Sequence, residues 1–447
     1  MKITNAVLIF LLLLMSALFA EENQFNTDML PIGNPNTKFD FCAVKLNKIF
    51  DTNNKSDLAV EDFINKIKDY RVIMVGESHT SETNHQVQLE IIKKLIEAGQ
   101  TVCLALEMFN PAQNEALNNY ASGKTNEEEF LEEVDYFNTW GHNYRYYKPI
   151  FDYARENKLK MYGVNIEHKY ASKIGRSGLK SLTEEEQKKI PEIDTSNVEH
   201  RFFFKVAMEG MDATMPAPVF NKIYTAQCLW DAAMGNGAIK AAHENPESNV
   251  VLLAGSGHVV YNLGIGKIIK NRSNLSFTSV VCVDVPDTVK ESLMMRVKKS
   301  IKKEKEKTGE SKEAPPKMKK PKIPPMGMKH GMGSPIPHKI VIRSLADFLW
   351  GIPEEKHEKY PSFGFSINKK EETGFKVKRV IPETIAEEQG IKRGDVILSV
   401  DGKEFEKMAD LKKHLHFKNW KDSIKFEILR KEEKVEIEFL IEQEKEK

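Results

Sequence analysis

Two Gly-x-x-His tetrads, each directly after an apolar run, constrain the fold of this chain more than any other feature. GESH (76–79) follows RVIMV (71–75), and GSGH (255–258) follows NVVLLA (249–254). Each run is a predicted strand, and the glycine lets the chain turn sharply where the strand ends. An open α/β sheet binds ligands at the carboxyl ends of its strands, so two such ends predict one shared site.

A third apolar run, TVCLALEMF (101–109), carries Glu107 at a strand end or in a buried position. The candidate site therefore comprises Glu77, His79, Glu107 and His258. Two imidazoles and one or two carboxylates suit a divalent metal with open positions, or acid–base work on a water. The alternative is that Glu107 is a satisfied buried acid and that the histidines only cap loops.

The order of elements between these runs predicts alternating strands and helices. Apolar residues recur at helical spacing in 85–99, whereas 160–166 and 276–285 are further strand-like runs. Strands separated by helices imply right-handed crossovers and a mainly parallel sheet flanked by helices. We therefore predict an α/β fold, with a helical insertion over about 178–245 that forms a lid or lobe over the carboxyl edge of the sheet.

The amino-terminal segment predicts export. Lys2 precedes an apolar run from Ala6 to Phe19, and Ala20 is followed by polar residues, which is typical of a signal peptide at 1–20 that is cleaved near Ala20. The apolar run is short for a membrane span, although an uncleaved anchor is the alternative. Cys42 lies too far downstream to be a lipoprotein cysteine, so we expect a periplasmic or extracellular protein without a lipid anchor.

The length of 447 residues predicts two or three domains. With 66 Lys and Arg against 65 Asp and Glu, the net charge gives no reason to expect a nucleic-acid partner. The tract at 297–342 is rich in Lys, Pro and Met, and we predict that it is a linker because it lacks the apolar side chains of a core. The predicted organisation is a signal at 1–20, an extension at 21–64, the α/β domain at 65–296, the linker at 297–342 and a final domain at 343–447.

The four cysteines do not predict a zinc finger or a catalytic thiol. Cys103 and Cys282 lie inside apolar runs, where a cysteine is usually a small buried hydrophobic residue. Outside the cytosol disulfides are possible, so a bond between Cys42 and Cys228 is left open.

Around the two tetrads, the chain resembles the haem-binding ChaN family of the Tiki superfamily. That superfamily also holds metal-dependent proteases and erythromycin-esterase-like hydrolases. The resemblance implies an EreA/ChaN-like fold, a haem ligand and a possible homodimer. Besides the tetrads, it rests on the segments 105–123, 140–157, 161–170, 178–191 and 227–234.

Haem is the ligand that this resemblance implies. A haem site needs an apolar slot, a Tyr or His to reach the iron, and a cation near the propionates. The aromatic stretch at 136–153 supplies Tyr147, Tyr144 and Arg145 as candidates. Tyr147 and Pro149 look like the aromatic-x-Pro motif of the family at a helix start, and packing of that helix explains them equally well.

The same superfamily implies a rival function. In the Tiki proteases two such histidines and a glutamate support metal-dependent hydrolysis, which assigns His79, Glu107 and His258 to a divalent metal. The metal would lower the pKa of a bound water, and Glu77 or Glu107 would act as the base. In the esterase-like relatives the histidine is a general base without metal. Whether the protein is an enzyme stays open, and the overall resemblance favours haem.

The final domain resembles a bacterial PDZ domain of α+β type, and the resemblance rests on the stretch 377–405 with its GDVILSVDG turn. It implies that a peptide or protein C-terminus binds, with its carboxylate held by a loop and its last side chain in a pocket. The alternative is a module that only packs on the first domain. The matching residues are Ser362, Phe363, Gly364 and Phe365 in the loop, and Leu411 and Leu415 in the pocket wall.

Overall fold

The structure is a computed structural model that describes residues 27–209, 215–286, 336–370 and 372–443. The predicted signal at 1–20 and most of the predicted linker lie outside the described residues. Among the helices of the described part, none combines the length and the apolar character that a bilayer crossing requires.

An eight-stranded sheet forms the centre of the first domain, in the order β3-β2-β10-β8-β4-β7-β5-β6. The pairings from β10 to β6 are parallel, and those of β2 with β10 and with β3 are antiparallel. The predicted mainly parallel α/β sheet is therefore confirmed. The strands are β1 (Phe41–Lys45), β2 (Ile49–Asp51), β3 (Ser56–Leu58), β4 (Val72–Glu77), β5 (Thr101–Leu106), β6 (Lys160–Gly163), β7 (Ser248–Gly255), β8 (Phe277–Val285), β9 (His338–Ile342) and β10 (Phe348–Pro353).

Helices cover both faces of this sheet. They are α1 (Val60–Ile67), α2 (Glu82–Glu97), α3 (Asn114–Ala121), α4 (Glu127–Glu133), α5 (Tyr136–Thr139), α6 (Tyr144–Glu156), α7 (His168–Ser177), α8 (Glu184–Gln187), α9 (Val198–Glu209), α10 (Ala217–Glu244), α11 (Ser256–Val259) and α12 (Ile265–Arg272). Short 3-10 turns lie at Thr27–Met29, Pro111–Gln113, Leu179–Ser181 and Val260–Asn262.

The alternation of side chains along the central strands explains the two layers of helices. In β4, Ile73 and Val75 join the apolar cluster that includes residues of α2 and α6. Val72 and Met74 point to the opposite face and join the cluster that includes residues of α10 and α12. Because successive strand residues face opposite sides, a run buried on both faces must be apolar throughout, as VIMV (72–75) is.

The boundary predicted between linker and final domain is wrong. Strand β9 pairs with β1, and β10 lies between β2 and β8 in the main sheet, so both belong to the first domain. The predicted extension at 21–64 also contributes β1, β2 and β3 to this domain. Because the pairings of β1 with β9 and of β2 with β10 join residues about 300 positions apart, local composition could not indicate them.

The segment after β10 returns to the carboxyl edge of the sheet. Glu355 accepts hydrogen bonds from the backbone N–H of Thr83 at 2.6 Å and of Glu82 at 3.2 Å, and from the hydroxyl of Ser81 at 2.9 Å. A carboxylate at a helix N-terminus satisfies donors that have no partner inside the helix and complements the helix dipole. Glu355 therefore anchors the start of α2 to the chain that leads into the C-terminal domain.

The C-terminal domain is an antiparallel sheet with two helices, as the α+β prediction requires. Its sheet order is β11-β12-β13-β15-β16, with β14 on β13, and β11 is an edge strand. Its core is a separate apolar cluster that includes Leu411, Phe426 and Ile428. The elements are α13 (Ile385–Glu388), α14 (Met408–His416), β11 (Phe365–Lys370), β12 (Phe375–Val380), β13 (Val396–Val400), β14 (Lys403–Glu404), β15 (Ser423–Arg430) and β16 (Glu433–Leu440).

All four cysteines are free thiols in the structure, so Cys42 and Cys228 do not form a disulfide there. Burial raises the pKa of both thiols to about 12. Both are therefore protonated at neutral pH and poorly reactive.

The place of β10 in the main sheet yields a test with fragments. A fragment of residues 27–296 should be strongly destabilised or insoluble, because it lacks Phe348, Leu349 and Trp350, which are at most 7% exposed. Each large apolar side chain contributes about 1.5–3 kcal/mol when buried. A fragment of residues 27–356 should unfold cooperatively on heating, as followed by circular dichroism. Equal stability of the two fragments would contradict the assignment of β10 to the first domain.

Candidate functional site

The strand order brings the predicted site residues together. Strand β7 lies between β4 and β5, and Glu77 at the end of β4 is in register with Gly255 at the end of β7. Glu107 follows the last residue of β5 directly. Because these parallel strands end at the same edge, Glu77, His79, Glu107 and His258 surround the end of β7.

Glu77 is a buried acceptor that orients His79. Its Oε1 lies 2.8 Å from Nδ1 of His79 and accepts a hydrogen bond of 2.7 Å from the hydroxyl of Tyr147. Its Oε2 accepts from the amide of Gln88 at 2.6 Å, and Nε2 of His85 lies 3.4 Å away. Burial alone would raise the pKa of Glu77, but His85 and His79 hold it well below its usual value. Glu77 is therefore an ionised hydrogen-bond acceptor that fixes the orientation of His79.

His79 presents its second nitrogen to the gap at the end of β7. Nδ1 is directed to Glu77, and Nε2 makes no hydrogen bond with a described residue, so it is available to a ligand or a water. Burial would lower the pKa of His79, but the hydrogen bond to Glu77 and the charge of Glu107 outweigh it and raise the pKa. The carboxylate thus fixes both the orientation and the basicity of the imidazole.

A second pair of a histidine and a carboxylate faces the same gap. Oδ1 of Asp231, on α10, lies 2.6 Å from Nδ1 of His258, and Oε1 of Glu107 lies 3.5 Å from its Nε2. Oε2 of Glu107 accepts a hydrogen bond of 2.6 Å from the backbone N–H of Gly255. Burial would lower the pKa of His258, but Glu107 and Asp231 outweigh it and raise the pKa to about 9. His258 is therefore an imidazolium at neutral pH.

Gly255 keeps the space between the two pairs open. A Cβ at this position would lie 3.1 Å from Nε2 of His79 and 3.6 Å from Oε2 of Glu107. The first of these distances is shorter than ordinary van der Waals contact. Glycine at the end of β7 is therefore required if both groups are to face one small ligand or water.

The loop before α6 extends the site towards the C-terminal domain. The ring centroid of His142 lies 4.4 Å from that of His79, and the ring of Trp140 lies 5.1 Å from His79. Burial, with a further contribution from the charge of His79, lowers the pKa of His142 to about 4. His142 is therefore neutral at ordinary pH and has a lone pair available.

A cavity of about 310 Å³ lies between the two domains and connects them at this loop. The first domain contributes Thr80, Phe137, Trp140, Gly141, His142, Asn143 and Tyr146. The C-terminal domain contributes Pro361, Ser362, Phe363, Gly364, Phe365, Ser366, Ile367, Lys412, Leu415 and His416, and Glu358 and Tyr360 lie at the connection. The size is at the lower end of the range for small-molecule sites, and several Phe, Trp and Tyr side chains contribute to the walls.

The three haem candidates predicted from the sequence do not line this cavity. Tyr147 is fully buried with its hydroxyl on Glu77, and Tyr144 is fully buried with its ring stacked on Phe151. Arg145 donates hydrogen bonds of 2.6 and 2.7 Å to the carbonyls of His416 and Lys418. This placement does not support the haem roles assigned to these residues, because the tyrosines pack in the core and Arg145 joins the two domains.

The residues predicted to bind a peptide carboxylate and side chain are mostly placed at the cavity. Ser362, Phe363, Gly364, Phe365 and Leu415 line it. Gly364 has φ +75°, and a Cβ there would lie 2.3 Å from Thr384, so only glycine fits this loop. Leu411 is fully buried in the core of the C-terminal domain and does not line the cavity.

His79, Glu107 and His258 were predicted to bind a metal, but these three side chains are not arranged as a preformed set of metal ligands. Among the described residues, no three His, Cys, Asp or Glu side chains are arranged to hold a metal ion. The geometry gives a reason, since Oε2 of Glu107 already accepts from a backbone N–H and His258 is held as a cation by two carboxylates. The metal role stays a prediction.

Comparison with known families was made for the whole chain. Residues 63–269 match the family described as haem-binding uptake, Tiki superfamily, ChaN, and residues 354–429 match the PDZ domain family. The chain therefore joins a ChaN-like domain to a PDZ domain. The PDZ match begins directly after β10, which agrees with the corrected boundary. No curated protein sequence matches the chain significantly.

Three solved structures are similar to parts of this chain. ChaN of Campylobacter jejuni, with cofacial haem, is 20% identical with a TM-score of 0.44, over 53% of this chain and 90% of that one. A mutant of the erythromycin esterase EreC in its open conformation is 13% identical with a TM-score of 0.34, over 56% and 78%. The HtrA-type protease AlgW with a decapeptide is 19% identical with a TM-score of 0.18, over 20% of this chain and 30% of that one.

Several residues of the ChaN-domain site were not predicted. Asp231, Gln88 and His85 lie on helices and reach the site only through tertiary packing. A signal was present for Asp231, because it is the one carboxylate within the otherwise apolar helical stretch CLWDAAM (228–234). A charged residue on the buried face of a helix indicates a partner elsewhere in the fold.

The raised pKa of His258 yields a prediction for pH dependence. The folded-state pKa of about 9 exceeds the ordinary value of 6.5, so this pair stabilises the fold fully below pH 6.5, and the contribution is lost as pH rises through about 9. In Asp231→Asn the pKa of His258 should fall and this pH dependence of the free energy of unfolding should weaken. NMR titration of the imidazole and urea unfolding at several pH values measure both.

The matched control for this prediction is Asp69→Asn, which changes an exposed aspartate outside the site. The control should titrate like the wild type. An unchanged His258 pKa in Asp231→Asn would contradict the pairing.

Proposed function

We propose that the protein is an exported haem-binding protein, in which haem lies in the cavity between the ChaN and PDZ domains. The match to a haem-binding family supports the ligand, and the chemistry of the cavity supports the place. The decisive observation is that a neutral imidazole, several aromatic side chains and a cation that makes no salt bridge with a described residue meet in one cavity. A homodimer stays a prediction.

His142 is the residue that would hold the iron. Its pKa of about 4 keeps the imidazole neutral, and its ring lies at the cavity wall beside Trp140. Histidine is a common axial ligand of haem iron. Bound haem would supply a redox-active iron centre, while the protein would bind and shield it.

The walls of the cavity suit a flat aromatic ligand with acidic groups. Phe137, Trp140 and Phe363 supply apolar surface. Lys412 also lines the cavity and makes no salt bridge with a described residue, so its ammonium group is available for a propionate. Together these groups supply the apolar surface, the imidazole and the cation that a haem site needs.

Spectroscopic titration tests this assignment. Haem added to the purified chain should give a Soret band that saturates at a fixed stoichiometry. His142→Ala should weaken the affinity at least tenfold or shift the band, because the axial imidazole is lost. Binding should persist at pH 5.5, since His142 is protonated only near pH 4.

His243→Ala is the control because His243 is exposed and lies outside the cavity. It should bind haem like the wild type. A His142→Ala variant with the affinity and spectrum of the wild type would overturn the assignment of this ligand.

Acid–base hydrolysis is the second candidate, and the two histidine–carboxylate pairs around Gly255 favour it. His79, oriented by Glu77, could accept a proton from a water in the gap. The cationic His258 could stabilise negative charge that develops on a carbonyl oxygen. These groups suit an ester or other activated acyl substrate.

Turnover of a chromogenic ester by the full chain tests this second function. His79→Asn should lower kcat by about 10²–10⁴, the usual contribution of a positioned base. His243→Ala is again the control. Parallel assays with a chelator and with added zinc test the metal-dependent version. Equal turnover by His79→Asn and the wild type would exclude His79 as the base.

A further inference from the structure

The cavity between the domains is lined by the edge strand β11 of the PDZ domain and by the loop of the ChaN domain that carries Trp140 and His142. Strand β11 is an edge strand, so its outer backbone groups have no sheet partner among the described residues. The cavity between the domains runs along β11 at Ser366 and Ile367 and along α14 at Leu415. An extended peptide that adds to such an edge gains main-chain hydrogen bonds.

Contacts between the domains fix the orientation of this groove. The side-chain amide of Asn143 donates to the carbonyl of His416 at 2.7 Å, at the end of α14. The guanidinium of Arg145 donates to the same carbonyl and lies 3.8 Å from the ring centroid of Tyr360. Several short contacts to one helix end hold the PDZ domain against the start of α6, and the ChaN domain therefore forms the far wall of the groove.

The residues that line the cavity indicate that the C-terminal end of the peptide lies there. Lys412 is a half-buried cation without a salt bridge to a described residue, and Phe363, Phe365 and Leu415 supply apolar surface. A peptide whose last residue has a free carboxylate and an apolar side chain matches this combination. A side chain in that place would contact Trp140 and His142, whose rings lie against His79.

We propose that a peptide with a free, apolar C-terminus binds in the interdomain cavity, contacts Trp140 and His142, and excludes haem from the same space. The exclusion rests on the proposed haem site, whereas the contact with the ChaN domain does not. Binding of a partner protein by its C-terminus would then displace haem, so partner recognition and haem release form one event.

Two titrations of the full chain test this proposal. The probe is a pool of decapeptides that end in Val, Leu, Ala or Phe, each as the free acid and as the C-terminal amide. Without haem, the free acids should shift the NMR signals of the Trp140 indole and the His142 imidazole. With haem bound, saturating free acid should weaken haem affinity at least tenfold, and the amides should have at most a tenth of this effect.

Variants test which residues contribute to peptide binding and to the NMR signals. Lys412→Gln should weaken peptide binding at least threefold by removing the cation, and Trp140→Phe should remove its indole signal and confirm the assignment. Lys434→Gln, on the exposed face of β16, is the matched control and should behave like the wild type.

Each outcome decides one part of the account. Peptide binding that shifts Ile367 but neither Trp140 nor His142 overturns the proposal, as does the absence of binding by the whole pool. Peptide and haem that bind together without loss of affinity overturn the exclusion while the haem site stands. If haem does not bind at all, the proposed function and the exclusion fail together, and the haem-free NMR titration still decides the peptide contact.

Discussion

The position of β7 between β4 and β5 is the constraint on which the rest of the structure depends. Parallel pairing on both sides of β7 brings three strand ends to one edge, although the strands are distant in the chain. The site residues then follow their strands directly. Gly255 completes the arrangement, because a side chain there would fill the space between His79 and Glu107.

The buried charges at this edge persist because each has a compensating partner. An ionised carboxylate in an apolar interior is costly unless hydrogen bonds and opposite charges replace water. Glu77 accepts from Tyr147, Gln88 and His79, and Asp231 holds His258. Removing one partner would leave the other charge buried, so these residues stabilise the site as a group.

The sequence predicted the parts of the fold that depend on local pattern. Apolar runs gave the central strands, and the polar residues after them indicated which side chains meet at the edge. Asp231 and Gln88 could not be placed in this way, because helices bring them to the site through packing on the sheet. Strand β10 was assigned to the wrong domain, since its pairing with β8 depends on long-range contacts.

The aromatic stretch at 136–153 shows that the sequence was equally limited in predicting which residues can reach a ligand. Composition indicated residues suitable for haem, but burial decides which of them can be reached. Tyr144 and Tyr147 point into the core, while His142 lies at the cavity wall with its pKa lowered to about 4. The PDZ domain forms the other side of that cavity. The sequence of the first domain alone therefore could not show which of these residues line the cavity and which are buried in the core.

Anomalous diffraction at the iron edge, from crystals of the full chain grown with haem, tests the central claim most directly. The account predicts an iron peak inside the interdomain cavity, within coordination distance of His142 and close to Trp140. An iron peak outside this cavity, or one coordinated by residues that do not line it, would contradict the account.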